Sequence, residues 1–144
     1  MDESADALEN ITVLDLTRVL AGPLCTQMLG DMGANIIKVE HPLRGDDTRH
    51  WGPPFADTEA AYFLGVNRNK KSFALDFKTP KGLNILQSLI MKSDVVIDNF
   101  KPGLLIKLGL TDDWFKSNAK HIIRCSITGY GSKGPNGGMP GYDF

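Results

Sequence analysis

The sequence predicts an α/β fold: a Rossmann-like, doubly wound, mostly parallel sheet with helices on both faces. Three observations support that expectation. Short apolar runs rich in β-branched residues alternate with stretches of helical period. The runs lack the polar alternation of a half-exposed strand, so both of their faces are buried. Gly, Pro and Thr punctuate the joins between runs, where strands hand over to helices.

The elements follow in chain order. Residues 11–16 (ITVLDL) read as the first buried strand. Gly22 and Pro23 open the first helix, because a proline there forfeits no useful donor. That helix passes through Met28 and Leu29 and stops near Gly33. Residues 35–40 (NIIKVE) form the second strand, and 41–56 a polar loop broken by Pro and Gly. A short helix spans 58–66, and 72–77 (SFALDF) is the third strand. Thr79 caps the next helix, whose Leu83, Leu86, Leu89 and Ile90 share one face. Residues 95–100 (VVIDNF) are the fourth strand. Short helices at 102–108 and 112–119 lead to the fifth, 122–127 (IIRCSI).

The chain therefore divides into an acidic tail (1–9), a Rossmann-like domain (10–128) and a Gly-rich loop (129–144). The loop ends in Tyr142, Asp143 and Phe144, which read as the start of a further element, so the chain looks like the front part of a longer protein.

Composition narrows the function. The chain has 144 residues, 42% hydrophobic and 23% charged, with sixteen basic and seventeen acidic side chains and a net charge of −1. Without a basic surplus to displace counterions, general nucleic-acid binding is excluded. Cys25 and Cys125 have neither CxxC spacing nor a nearby His, which speaks against zinc and for two buried thiols in a reducing compartment. No apolar run has the length of a membrane span. The acidic first nine residues suit neither a secretory signal nor a transit peptide. A soluble, intracellular protein is expected: cytoplasmic, or of the mitochondrial matrix if a presequence precedes this chain.

In open α/β sheets ligands sit outside the carboxyl ends of the strands. The segments there carry Arg18, His41, Arg44, Arg49, Lys78, Lys101 and Lys107. Helix N-termini near Pro23, Pro80 and Pro102 add backbone donors. Recurrence of cations at successive strand ends suits a ligand with several phosphates. The turn at 18–22 is not GxGxxG, and no GxxxxGK[ST] occurs, which counts against NAD and ATP. His41, His50 and His121 are scattered and support no hydrolase triad. Arg68, Lys70 and Lys71 form either a solvated face or an anion site. Asp15, Asp98 and Asp143 read as structural carboxylates.

Eight ordered motifs carry a family resemblance. They are 14–23 (LDLTRVLAGP), 29–34 (LGDMGA), 37–40 (IKVE), 45–49 (GDDTR), 51–54 (WGPP), 67–72 (NRNKKS), 98–103 (DNFKPG), and 126–131 (SITGYG) with 141–143 (GYD). From about Leu8 to its last residue the chain resembles the N-terminal part of class III CoA-transferases, and among them most closely the succinyl-CoA:dicarboxylate enzymes. The resemblance implies transfer of CoA from an acyl-CoA, succinyl-CoA-like, to a small carboxylic acid through an aspartyl intermediate. It implies no permanently bound cofactor, coenzyme A being substrate, and an interlocked homodimer for a full-length member.

Carried over residue by residue, the CoA-contacting positions fall on Leu20, Ala21, His41, Leu75, Asp76, Phe77, Lys78, Asn99, Phe100, Lys101 and Lys107. Lys78, His41 and Lys107 are implied phosphate ligands; Leu75 and Phe100 offer apolar contact. Formyl-CoA transferases carry Gln at the position of Leu20 and Arg at that of His41, so a formyl or oxalyl substrate is not implied. The nucleophilic aspartate is expected beyond residue 144, with Asp143 at most its neighbour. The chain alone is then expected to bind without turning over. Two alternatives stay open: a stand-alone CoA- or nucleotide-binding module, and a docking subunit without catalysis.

Overall fold

A strand that buries both faces needs a neighbour on each edge and helices above and below. The computed structural model, which describes residues 6–141, has this arrangement. In chain order the strands are β1 (Thr12–Asp15), β2 (Asn35–Glu40), β3 (Phe55–Ala56), β4 (Glu59–Ala60), β5 (Lys70–Ala74), β6 (Val95–Asp98) and β7 (Ile123–Ser126). Five of them form one sheet in the order β5-β2-β1-β6-β7, every pairing parallel. β3 and β4 make a separate antiparallel hairpin. The chain moves one way from β1 through β2 to β5 and the other way through β6 and β7. The gap between the ends of β1 and β6 is therefore the topological switch point.

Alternation along β1 splits the core in two. Val13 packs with Ala34, Ile36 and Ile97 beneath Cys25 and Leu29 of helix α1 (Ala21–Asp31). A short helix, α2 (Ala61–Val66), follows the hairpin. Leu14 and Leu16 face the other way, with Val39 and Val96. They pack against Leu86 and Ile90 of α3 (Pro80–Met91) and, past α4 (Leu104–Lys107), against Phe115 of α5 (Asp112–Asn118). The expected doubly wound α/β architecture is present.

Local chemistry sets the boundaries. Thr79 Oγ1 accepts from the Gly82 amide at 3.1 Å, and Thr111 Oγ1 from that of Trp114 at 3.2 Å, capping α3 and α5. A Cβ on Gly82 would sit 1.9 Å from the Asp76 carbonyl oxygen, so only glycine lets α3 start this close to the preceding turn. Three expectations are corrected. The third strand is Lys70–Ala74, two residues earlier than its apolar run, because its edge pairing starts at Ile36↔Lys70 and, after a last bond from the Leu75 amide to the Glu40 carbonyl, residues 76–79 leave the sheet to build the cap of α3. The helix expected at 58–66 begins only at Ala61, since Glu59 and Ala60 pair back onto Phe55 and Ala56. The loop at 41–56 holds a 3-10 turn, Asp47–His50, capped by Asp46 Oδ1 accepting from the Thr48 amide at 3.0 Å.

The basic cluster resolves into separate partners. Arg68 pairs with Asp31, Lys71 reaches Asn35 Oδ1 at 2.7 Å, and Lys70 turns into the core. Among the described residues no helix is long and apolar enough to cross a membrane. Asp143, with Tyr142 and Phe144, lies outside the described residues.

Leu86 is fully buried under the sheet. Leu86→Ala is expected to lower the unfolding free energy by about 2–5 kcal/mol in urea titration. A loss well under 1 kcal/mol would contradict this packing.

Candidate functional site

The site is built by the turns leaving β1, β2, β5 and β6. After β1, the Thr17 amide and hydroxyl both donate to Asp15 Oδ1, at 2.8 and 2.5 Å, which bends the chain sharply. The Arg18 amide then donates to Asn99 Oδ1 at 2.9 Å, and Asn99 Nδ2 to the Arg18 carbonyl at 2.7 Å. This reciprocal pair joins the turns on both sides of the switch point. After β5, the Lys78 amide donates to Asp76 Oδ1 at 3.0 Å, forming a compact turn before α3.

Together these turns enclose a cleft of about 210 Å³. Its floor is apolar: Leu16, Leu75, Phe77 and Phe100, closed by Leu104 and Leu108. The Phe77 and Phe100 rings lie tilted with centroids 6.0 Å apart. Its rim is basic, with Arg18, His41, Arg44 and Lys78. Arg18 faces Asp47 at 3.8 Å, both half exposed, a contact weak enough for a ligand anion to replace. A wider cleft of about 510 Å³ adjoins it across Phe100 and Leu104, lined in part by Lys101, Arg124, Ser126 and Thr128.

Of the positions singled out from the sequence, His41, Leu75, Asp76, Phe77, Lys78 and Phe100 come together in the smaller cleft. Lys101 faces the wider one. Leu20 is the half-buried residue preceding α1 and Ala21 its exposed first residue, Asn99 works through the Arg18 backbone, and Lys107 is exposed at the end of α4. None of these four lines either cleft. Arg18 and Arg44, which the sequence marks only as strand-end cations, both line the smaller cleft, whereas Arg49 turns away from it. Leu104 and Leu108 are cleft residues that sequence reasoning missed.

Beneath the rim runs a chain of buried charges. The Lys38 side chain, on β2, is 1% exposed. Its ammonium donates to the Thr17 carbonyl at 2.9 Å and lies 2.9 Å from Asp46 Oδ2, an ion pair in which that oxygen takes no aligned hydrogen bond. Burial works against the Asp46 carboxylate, but Lys38 and Thr48 hold it below its ordinary value. Lys70 donates to Pro23 O at 2.7 Å and Asn67 Oδ1 at 2.9 Å, and pairs with Asp15 Oδ2 at 3.2 Å. Burial pulls its ammonium down to about 8, which Asp15 only partly offsets.

The Glu40 carboxylate accepts from Arg49 Nε and Nη2, both at 2.8 Å, from Ser72 Oγ at 2.7 Å and from the Asp46 amide at 2.9 Å. Burial alone would raise the carboxyl; these donors outweigh it and hold it at about 2. Arg49 also grips Glu59 and lies 3.7 Å from the Phe63 ring centroid, tying the hairpin and α2 to the same loop.

A family model described as CoA-transferase family III matches residues 8–144. The chain is 54% identical to a succinyl-CoA:glutarate CoA-transferase of Mus musculus over 98% of its length, which is 32% of that relative. It is 48% identical to a succinate–glutarate CoA-transferase of Agrobacterium fabrum, over 95% of the chain and 36% of the relative. A formyl-CoA:oxalate CoA-transferase of Rhodopseudomonas palustris is 42% identical over 87% of the chain and 29% of the relative. The chain thus spans about a third of the length of the curated relatives it matches. Among solved structures, a CAIB/BAIF family protein from Brucella suis superposes with a TM-score of 0.90 at 46% identity, over 97% of this chain and 38% of that one.

The Glu40 network predicts an acid limit to stability. A carboxyl at about 2 in the fold against an ordinary 4.5 favours the folded state at neutral pH by roughly 3 kcal/mol. That stabilisation is complete above pH 4.5 and is lost as the pH falls towards 2. Urea titrations across this window should show the decline in the wild type and a shallower one in Glu40→Gln. Superimposable slopes would contradict the assignment.

Proposed function

The chain belongs to CoA-transferase family III, and from that premise we propose that residues 10–128 form a coenzyme-A-binding domain whose switch-point cleft holds the CoA of an acyl-CoA. The supporting observation is an apolar floor beneath a rim of four basic side chains in one cleft at the strand ends. CoA has matching parts: an adenine ring and pantetheine arm that gain by leaving water, and phosphates that need cations. In this reading Phe77, Phe100 and Leu75 take the apolar parts. Lys78 and His41 meet phosphates, with Lys101 and Lys107 completing the basic surround and Leu20, Ala21 and Asn99 lining the approach of the thioester arm.

The reaction we propose is transfer of CoA from a succinyl-CoA-like donor to a small carboxylic acid. The identity to two glutarate-acting relatives supports that substrate class. An enzyme carboxylate attacks the thioester carbonyl and expels CoA thiolate. The thiolate then attacks the resulting anhydride, freeing the first acid and leaving an enzyme acyl–CoA thioester, and the acceptor carboxylate reverses both steps.

The described carboxylates near the cleft are already engaged. Asp15 is fully buried against Lys70, Thr17 and Thr26. Asp98 accepts from the Phe100 amide and Ser126 Oγ, and burial pushes its carboxyl up. Asp76 Oδ1 is held in its turn by the Lys78 amide. The chain taken alone therefore binds CoA without transferring it, and the nucleophile of the whole enzyme belongs to the part of the family outside this third. That enzyme works as a homodimer in an intracellular compartment.

Two measurements test this. In calorimetric titration CoA should bind the chain, and Lys78→Ala should weaken binding about tenfold or more, since a hydrogen bond to a charged group contributes roughly 1.5–3 kcal/mol. Equal affinities would remove Lys78 from the site. Incubation with succinyl-CoA and a panel of dicarboxylic acids, followed by mass spectrometry, should yield no new thioester. Turnover abolished by Asp76→Asn or Asp143→Asn would make that aspartate the nucleophile and overturn the division of labour.

A further inference from the structure

The four basic side chains on the rim differ in the charge they can deliver. His41 opens a turn that closes when the Gly45 amide donates to the His41 carbonyl at 2.9 Å. Within it the Leu43 amide donates to His41 Nδ1 at 3.2 Å. That contact ties the Nδ1 edge of the ring to its own turn and leaves the Nε2 edge to meet a ligand. Lys78 is a flexible point charge on the far side of the cleft, and Arg18 already faces Asp47.

Arg44 lies in the same turn as His41 and lines the same cleft. Its backbone is fixed twice: its carbonyl accepts from His50 Nε2 at 3.2 Å, and the next residue is Gly45 at φ 65°. A Cβ there would lie 2.6 Å from Arg49 Cδ, inside the Glu40 network, so glycine is required. Among the described residues the Arg44 guanidinium has no ion pair or hydrogen bond of its own. The turn thus holds a permanent cation without an ion-pair partner at the cleft, beside an imidazole engaged through Nδ1.

We propose that Arg44, rather than His41, supplies the phosphate-binding charge of this turn and sets the cleft's preference for a polyanionic nucleotide, with His41 contributing a hydrogen bond from its Nε2 edge. The inference rests on the CoA-binding reading of the cleft. A guanidinium is well matched to phosphate, since it stays charged at every working pH and its planar fork meets two phosphate oxygens at once.

Calorimetric titration of the chain with CoA and with dephospho-CoA tests it, in the wild type and in Arg44→Gln, Arg44→Lys and His41→Gln. Far-ultraviolet circular dichroism checks that each variant folds. Arg44→Gln should weaken CoA binding tenfold or more, Arg44→Lys should recover part of the loss, and His41→Gln should lose only two- to threefold. A loss confined to CoA assigns Arg44 to the 3′-phosphate, and an equal loss with dephospho-CoA to the pyrophosphate; either result supports the proposal. If His41→Gln loses as much as Arg44→Gln, or Arg44→Gln stays within twofold of wild type, the proposal falls while CoA binding stands. If the wild-type chain binds neither ligand, the CoA reading of the cleft fails and the proposal with it.

Discussion

The ammonium of Lys38 is the contact on which the site geometry depends. It sits in the middle of a central strand, where a charge is tolerated only if every neighbour answers it. Thr17 answers from the turn after β1 and Asp46 from the loop after β2. One buried cation therefore fixes the two segments that carry Arg18, His41 and Arg44. The network continues outward, because Asp46 also donates its amide to Glu40, and Glu40 holds Arg49. Removing one member of such a set leaves an uncompensated charge, typically at about 3–5 kcal/mol. The loop after β2 is short of apolar anchors, with Leu43 almost wholly exposed, so its position comes from charge rather than packing.

The opposite wall of the cleft is held by different means. Asn99 joins its turn to Arg18 by two hydrogen bonds, and the close fit of Gly82 against Asp76 sets the turn before α3. The floor between them needs no dedicated machinery. Leu16, Leu75 and Phe100 are members of the core cluster under α3 and α5 that also line the cleft. A ligand bound there extends the core outward, so burying apolar ligand surface and covering apolar protein surface are the same event.

Much of this was legible in the sequence. Five apolar runs became five parallel strands, and Thr79 caps the helix it was expected to cap. Strand-end logic picked out Arg18, His41, Arg44 and Lys78 without any homologue. The rest was hidden for identifiable reasons. Phe73, Leu75 and Phe77 resemble strand residues, but hydrogen bonding to β2 decided the register and placed β5 two residues earlier. Lys38 and Lys70 look like surface lysines in one dimension, because nothing in sequence says that Asp15 and Asp46 lie within reach. The β3–β4 hairpin is too short to show a period. Leu104 and Leu108 belong to a four-residue helix and its end, too brief for an amphipathic pattern to stand out.

The central claim is that the strand-end cleft at the switch point takes coenzyme A. Amide chemical shifts followed by NMR during a CoA titration test it directly. The account predicts shifts clustered at residues 16–18, 41–45, 75–78 and 99–104. The outer surface of α3 around Asn84, Ser88 and Lys92, where a shallow groove offers a rival surface, should stay unchanged. Shifts centred on that groove, or none near the cleft at saturating CoA, would contradict it.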